Sequence, residues 1–488
     1  MSKRSKLGSK LVGNSFALLV NRLTQSITTF VLVASIARIL GPYELGQYML
    51  AFSYYFVFMS IASQGFKTLF TRELARNPHE TPLYLVSGSL LQLLFGIIGY
   101  AVLAVLVFAL PYSPDTSTVC YVMGLTIIPF SLSNITEAIF QAQEKMHLIA
   151  ISTVPVYILR LLLMIWGMNL KYDINFVCAL MVISETLILL IEWGLISRFV
   201  KYKFQFDWNF MWKSTKDVGT FIVIEGISVL KDRMQVLILS LLGGEIVVGL
   251  YGAVGQLMQP FQIISYSLII GLFPSMSKAV SLGREQQQKL AERAAEILLI
   301  VVLPFIIGIF FIGQDLLILL YKDGNFAQAA LALNIIAIGL LTSAFSRPLS
   351  YVLVANGFER VNLIEVLTTT VLGALLSILL VPKYQLNGAA FSVLITQIIS
   401  CTIYIYNVYK RLFYLNLWHT TRRPILVSFL MVTIFVGLHN FSQNILVTML
   451  SATLAYTLIT SILGVYAVGG FSVVWEKISH KLHSIKQR

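Results

Sequence analysis

Apolar runs long enough to form membrane-crossing helices recur along the whole chain, separated by short polar turns. A hydrocarbon core ~30 Å thick takes roughly 20 apolar residues as α-helix. On that measure the pattern predicts helices at about 14–40, 45–70, 83–110, 118–142, 148–169, 174–199, 218–242, 247–275, 294–321, 327–355, 361–382, 387–409, 424–440 and 445–470. The basic start MSKRSKLGSK precedes an apolar run that continues to about Leu40, carries Arg22 and contains no small-residue cleavage site. It therefore reads as a retained first helix rather than a removed signal.

The placement of charge tests that pattern independently. With the N-terminus inside and alternating crossings, the inside segments hold 26 Lys and Arg, whereas the outside turns hold only Lys171, Lys322 and Lys383. Positive residues gather on the cytoplasmic side of a membrane protein. A miscounted helix would invert the bias partway along, and it does not invert. Both termini are therefore expected in the cytoplasm. The longest polar segments, 199–217 and 276–293, fall on the same side, and the first mixes aromatics with lysines as a segment lying at lipid headgroups does.

Composition agrees. The chain has 488 residues, 57% hydrophobic and only 12% charged, with a mean hydropathy of +0.82. A soluble domain carries about 25% charged residues because water covers its surface, so most of this surface faces lipid. The net charge of +13 resides in short segments between apolar runs, not in a basic stripe, which argues against a nucleic-acid partner. Cys120, Cys178 and Cys401 sit in or beside apolar runs with no metal-ligand spacing, and read as small packing residues. No metal or cofactor is expected.

The two halves of the first twelve helices resemble each other. Leu40-Gly41-Pro42 followed by Gly46-Gln47-Tyr48 joins helices one and two, and Leu242-Gly243-Gly244 followed by Gly249-Leu250-Tyr251 joins helices seven and eight. Glu144-Lys145-Met146-His147-Leu148-Ile149 after helix four matches Glu359-Arg360-Val361-Asn362-Leu363-Ile364 after helix ten. Six helices separate the copies, so the repeats are parallel, related by an axis along the membrane normal with a cavity between them. The expected architecture is an all-α polytopic membrane protein. It comprises an N-lobe (1–199, helices one to six), a cytoplasmic interfacial linker (200–217), a C-lobe (218–411, helices seven to twelve), and a C-terminal helix pair with a basic tail (412–488).

Charges inside spans are costly, about 2.5–3.5 kcal/mol each at a helix centre, and must be paired or hydrated. The deep ones are Arg22, Arg160, Glu185, Glu192, Glu225, Lys231, Asp232, Arg233 and Arg347. Helix one has a polar face, with Asn14, Asn21 and Thr28 recurring every seven residues beside Arg22, Ser26 and Thr29. Arg22 and Arg347 read as cations of a hydrated lumen. Lys231, Asp232 and Arg233 either contribute cations or neutralise one another. Glu185 and Glu192 read as partners of Arg160, one of them able to carry a proton. Gln256 and Gln259 on helix eight suit hydroxyl-rich ligands and equally suit helix packing.

The run Ala37-Arg38-Ile39-Leu40-Gly41-Pro42 through Leu45-Gly46-Gln47-Tyr48, then Gly65 and Thr71-Arg72-Glu73-Leu74-Ala75, resembles the N-terminus of the polysaccharide transporter family. These are the O-antigen and exopolysaccharide flippases of the multidrug/oligosaccharidyl-lipid/polysaccharide superfamily. The run Asp232 to Gly243 and then Gly249-Leu250-Tyr251-Gly252-Ala253-Val254 is similar to the family's second half, and the likeness covers roughly residues 7–410. The resemblance implies a V-shaped pair of six-helix lobes in a bacterial inner membrane. Its implied activity is turning undecaprenyl-diphosphate-linked oligosaccharide between leaflets by alternating access, with no enzymatic step. Lumen cations would hold the diphosphate: Arg22, with Lys231, Arg233 and Arg347 from the second half. Sugar hydroxyls would find Asn21, Asn134, Gln141, Gln256 and Gln259, while Glu225, Asp232 and Glu185 are candidates for an H⁺ or Na⁺ counter-ion. Polysaccharide-assembly proteins are expected partners beside membrane lipid. Two rivals stand against this: an organic-cation exporter of the same superfamily, which wants an acidic, aromatic lumen, and a membrane glycosyltransferase or polymerase, for which no acid–base pair or external domain is found.

Overall fold

The computed structural model describes residues 3–198 and 206–441, and among these the secondary structure is helical throughout. Helix α1 (Lys3–Ile39) turns at Gly41 into α2 (Pro42–Met59). The turn needs glycine, because Gly41 sits at φ 94°, and Pro42 then starts the helix where its missing N–H costs nothing. A π-helical turn (Ser60–Gln64) links α2 to α3 (Gly65–Arg76). After it come the single turn α4 (Thr81–Leu83), a second π turn (Tyr84–Gly88), α5 (Ser89–Ala109), α6 (Pro114–Gly124) and α7 (Ile127–Ala142). Helices α8 (Met146–Asn169) and α9 (Ile174–Ile196) complete the first part, followed by α10 (Trp208–Leu242), α11 (Gly244–Leu282), α12 (Arg284–Tyr321), α13 (Ala330–Ala355), α14 (Glu359–Arg411) and α15 (Leu417–Phe441).

A helix covers each of the first thirteen expected positions. The fourteenth, 445–470, lies outside the described residues, as does the segment 199–205 of the linker. Two expected helices, 361–382 and 387–409, run together as α14, interrupted at Gln385, whose φ of 49° is left-handed. Two expected crossings remain single spans, Pro42–Arg76 and Pro114–Ala142, each with a local irregularity: a π turn at Ser60–Gln64 in the first and the junction between α6 and α7 in the second. Among the described residues, ten helical segments are long and apolar enough to cross a membrane. Their outward faces carry bare apolar side chains, with Phe108 84% and Leu379 72% exposed, as suits a surface solvated by lipid.

The chain divides into two compact units. The first is built from Met1–Gln259, Asp315–Ala332 and Thr368–Val393, and the second from Pro260–Gln314, Leu333–Leu367 and Leu394–Arg488. In the first unit, α1 packs along α8, and α3, α5, α7 and the start of α10 enclose a core containing Phe66, Phe70, Tyr84, Phe140 and Val218. Asp207 caps α10 by accepting from the amides of Asn209 and Phe210, and its own amide donates to Ser87 Oγ at 3.0 Å. Tyr84 and Phe210 meet edge to face, 4.6 Å between centroids. In the second unit, Asn356 donates to Gln287 Oε1 at 2.8 Å, Tyr404 donates to Glu365 Oε2 at 3.3 Å, and Phe273 packs edge-on against Tyr351.

The repeated glycine motifs meet within the first unit. A Cβ on Gly46 would collide with the carbonyl of Glu245, and a Cβ on Gly249 with the carbonyl of Pro42. In the register that aligns Gly46 with Gly249, one residue on from the match of Leu40-Gly41-Pro42 to Leu242-Gly243-Gly244, Pro42 aligns with Glu245, and the two follow the positive-φ glycines Gly41 and Gly244. The two close approaches therefore exchange under the repeat, the reciprocity that a two-fold axis between two like surfaces produces. Beside them Gln47 donates to Thr116 Oγ1 (3.1 Å), Thr116 donates to Glu245 Oε1 (2.7 Å), and a chain of hydroxyls runs from Tyr54 through Tyr112 to Ser240 at 2.8 Å per step.

Candidate functional site

Among the described residues of the first unit, two adjoining cavities bring together several of the candidate residues. One, of about 370 Å³, is bounded by α1, α2, α3, α7, α8 and α9, and the other, of about 250 Å³, by α1, α2, α10 and α11. Gln25, Thr29, Tyr48 and Phe52 line both, so the two adjoin along α1 and α2.

Asn14 donates to the Glu144 carbonyl just before α8 at 2.8 Å and Asn21 accepts from Thr153 of α8 at 2.9 Å, while Thr28 donates to carbonyls of its own helix. Asn21, Arg22, Gln25, Thr28 and Thr29 of this polar face line the larger cavity, and Gln25, Ser26 and Thr29 line the smaller.

Four further charges line the larger cavity and cancel in pairs. Lys67 is ion-paired with Glu137. Arg160 donates to Glu185 at 3.0 Å and to Ser184 Oγ at 3.2 Å, with its guanidinium 4.8 Å from the centroid of the Tyr157 ring. Both members of that second pair are buried, and together they occupy the polar sites they expose to one another. Glu185 is thus the partner expected for Arg160. Glu192 is not: it accepts instead from Thr136 and Ser152.

Once these pairs are set aside, two guanidiniums remain. Arg22 lines the larger cavity and has no acidic partner among the described residues. Arg233 lines the smaller one, its guanidinium stacked over Phe56 (4.7 Å) and Phe52 (5.3 Å), and its buried Nε finds no acceptor among the described residues. The buried Nε2 of Gln256, on the same cavity, is likewise without a partner. Unsatisfied buried donors beside a cavity are groups that a ligand satisfies. A guanidinium forks onto phosphate oxygens and stays charged at any relevant pH, and amides with aromatic faces suit hydroxyl-bearing rings. The joined cavities can therefore take a phosphate-bearing anion attached to a polar, ring-containing group.

The other residues singled out from the sequence fall in several places. Asn21, Gln141, Gln256 and Gln259 line one cavity or the other. Asn134 is buried and donates to Ser63 at the π turn (2.7 Å), tying α7 to that turn. Lys231, exposed Asp232 and half-buried Glu225 line neither of these two cavities. Arg347 belongs to the second unit, where its Nη1 donates to the Gln262 carbonyl at 3.3 Å. Sequence reasoning missed Lys67, which reads as an inside cation at a helix end. It missed Glu137 as well. The spacing of Gln64 with Lys67 on the α3 side and of Glu137 with Gln141 on α7 was the available signal.

Residues 11–280 match the model of the polysaccharide biosynthesis protein family. The capsular polysaccharide biosynthesis protein CapF of Staphylococcus aureus is 24% identical over 83% of this chain and 100% of its own length. The probable lipid II flippase MurJ of Buchnera aphidicola subsp. Acyrthosiphon pisum is 26% identical over 42% of each chain. Among solved structures, lipid II flippase MurJ in an inward closed conformation superposes with a TM-score of 0.72 at 17% identity, covering 93% of this chain and 98% of that one. An inward-facing multidrug resistance MATE family transporter of the MOP superfamily gives 0.65 at 15% identity, covering 79% and 94%. With the family's own pattern running through more than half of its residues and a fold like those of the MurJ and MATE structures, this chain is a member of the polysaccharide biosynthesis protein family.

Proposed function

We propose that this protein is a flippase for undecaprenyl-diphosphate-linked oligosaccharide in a bacterial inner membrane, working by alternating access with both termini in the cytoplasm and fourteen crossings. The observation that carries the reading is the pair of guanidiniums, Arg22 and Arg233, that line two adjoining polar cavities and touch no carboxylate among the described residues, Asp232 acting on Arg233 only at longer range. A charge in a membrane protein's interior is costly, and one left without a counter-ion is explained by a ligand that brings negative charge. A lipid-linked sugar keeps its tail in lipid, so only the headgroup needs a wet, cationic path. Arg22 and Arg233 hold the diphosphate, and Asn21, Gln141, Gln256 and Gln259 meet sugar hydroxyls. The names of CapF, a capsular polysaccharide biosynthesis protein, and MurJ, a lipid II flippase, lie in the same chemistry.

The same charge count disfavours a cation exporter. The acids on the larger cavity, Glu137 and Glu185, are already neutralised by Lys67 and Arg160, which leaves the lining net positive. The two lobes, 1–199 and 218–411, act as the moving bodies, joined by 200–217. Polysaccharide-assembly proteins supply and consume the lipid-linked sugar on the two faces.

The test is complementation. Deleting the gene in its host should trap lipid-linked oligosaccharide in the cytoplasmic leaflet and abolish surface polysaccharide. Wild type should restore it, Arg22→Ala should not while reaching the membrane normally, and Arg22→Lys should restore it partly. Unchanged surface polysaccharide with new sensitivity to cationic dyes would replace this reading with the exporter.

A further inference from the structure

The end of α14 and the start of α15, both in the second unit, carry cations interleaved with bare aromatic rings. Buried Thr420, Pro424 and Ser428 recur every four residues and turn one face of α15 inward. On the opposite face Trp418, Arg422 and Leu426 are exposed, also four apart, with Trp418 74% bare. The last turns of α14 repeat the arrangement. Ile398, Thr402, Tyr406 and Lys410 form one exposed row, and Lys410 Nζ lies 5.7 Å from the centre of the Tyr406 ring. Between the two helices Tyr409 and Tyr414 meet edge to face, 4.2 Å between centroids.

The depth of this junction follows from α12, to which it is bonded. Glu292 accepts from the amide of Asn416 at 2.9 Å, and Glu296 pairs with Arg423 at 3.6 Å. Glu296 is the last charged residue before an uncharged apolar stretch, 297–314, so it marks the edge of the hydrocarbon. Arg422, next to Arg423, is held at that edge. Leu426 and Phe429 lie beyond it, bare, where acyl chains are. Trp418 stands one turn, ~5.4 Å, to the other side, at the headgroup level where tryptophan collects.

The two acids that α12 brings here are committed to the scaffold: Glu292 to Asn416 and Gln288, Glu296 to Arg423. Lys410, Arg411 and Arg422 touch no carboxylate among the described residues. Arg411 lies over the Phe358 ring at 4.9 Å, and Glu359, next to that ring, bonds none of the three. Membrane topology asks only for positive charge somewhere in an inside turn. Here three cations free of bonded acids stand at headgroup depth on a backbone that α12 holds in place. A phosphodiester fits them, since a guanidinium forks onto its oxygens and each cation near the surface favours anionic lipid.

We propose that the α14–α15 junction binds the headgroup of an anionic phospholipid of the surrounding bilayer, with Lys410, Arg411 and Arg422 supplying the charge and Trp418 the interfacial anchor. The occupant is a bilayer lipid, not a soluble anion, because the cationic rows continue into bare apolar ones that acyl chains cover. The site shares no residue with the two cavities and stands independently of the flippase reading. In the topology proposed above it faces the cytoplasmic leaflet.

Tryptophan quenching in lipid nanodiscs tests the site on the full chain. The discs hold phosphatidylcholine with a minority of phosphatidylglycerol, and one lipid or the other carries bromine high on its acyl chains, where it quenches tryptophan on contact. The signal of Trp418 is the difference between wild type and Trp418→Phe. Brominated phosphatidylglycerol should quench it well beyond its share of the bilayer, and brominated phosphatidylcholine at an equal share should not. Arg422→Gln should lower the preference by about fivefold, the worth of one cation near a charged surface. Arg422→Lys should keep most of it, and Lys410→Gln with Arg411→Gln and Arg422→Gln should abolish it. Salt, which needs no substitution, should erode the wild-type preference. Equal quenching by the two lipids, a preference that survives the triple variant, or one indifferent to salt would overturn the proposal. Displacement by inorganic phosphate at constant ionic strength would overturn it too, making the junction a soluble-anion site.

Discussion

The difference between a paired and an unpaired buried charge organises this protein's chemistry at the residue scale. Arg160 and Glu185 are both buried and bonded to one another, so removing one partner leaves the other uncompensated. Such breaks cost about 3–5 kcal/mol, whereas replacing both partners by apolar residues of like volume is often neutral. Glu185→Gln should therefore lower the thermal midpoint of the purified protein by several degrees, and Arg160→Met with Glu185→Met should recover most of the loss. Arg233 behaves differently because its Nε has no acceptor to lose. Hydrogen bonds to charged groups contribute about 1.5–3 kcal/mol, so Arg233→Ala should weaken prenyl-diphosphate binding by roughly ten- to a hundredfold with an unchanged melt. Arg233→Lys should recover charge without the fork or the stacking on Phe52 and Phe56. Titration calorimetry on folded variants reads both.

Packing of glycines against backbone carbonyls decides how the helices of the first unit come together at the element scale. A methyl at Gly46 or Gly249 meets the Glu245 or Pro42 carbonyl, and backbone cannot yield as a side-chain tip does. Gly46→Ala and Gly249→Ala should each destabilise by about 1–3 kcal/mol, the usual cost of overpacking. The double variant should cost less than the two together, since one displacement relieves both clashes. Gly255, on the same helix as Gly249, has open space around it. Gly255→Ala should raise stability by up to about 1 kcal/mol, the helix-propensity gain of alanine. Thermal melts in one detergent compare all four. The repeat was legible in the sequence as two glycine motifs; that the motifs grip each other was not, because spacing along a chain carries no information about which surfaces meet.

The balance of lipid-facing apolar surface against interior polarity sets the frame for the whole molecule. Phe108 and Leu379 project where a soluble protein would be polar, and the polar side chains instead collect on the cavities. The cation bias of the turns makes a topological prediction: reporter domains fused after Gly283 should be cytoplasmic, and those fused after Lys171 or Lys383 should lie outside. The opposite result at any one site would remove a helix from the count. The helices themselves could be read because a run of about 20 apolar residues has one stable state in hydrocarbon. Their interruptions could not: the π turn at Ser60 and the break at Gln385 depend on what packs beside them, and Gln385 has no local signal that marks a left-handed residue.

The candidate site was half legible for the same reason. Arg22 stood out because an arginine in an apolar run is costly wherever it points, and the pairing of Arg160 with Glu185 followed from two deep charges of opposite sign. Length, hydropathy and charge asymmetry, all properties of the chain summed along itself, determined that this protein is helical and membrane-embedded. The glycine and cation motifs carried its family resemblance. Which cations keep an acid and which are left for a ligand was decided only by tertiary structure. Lys67 and Glu137, absent from the candidates read from the sequence, form a pair on the cavity; Arg233, read as a lumen cation or a member of a self-neutralising triplet, stacks on α2; and Glu192, read as a partner of Arg160, lies among hydroxyls. The physical reason is that charges and hydrogen bonds act over a few ångströms, and only folding determines which side chains come that close.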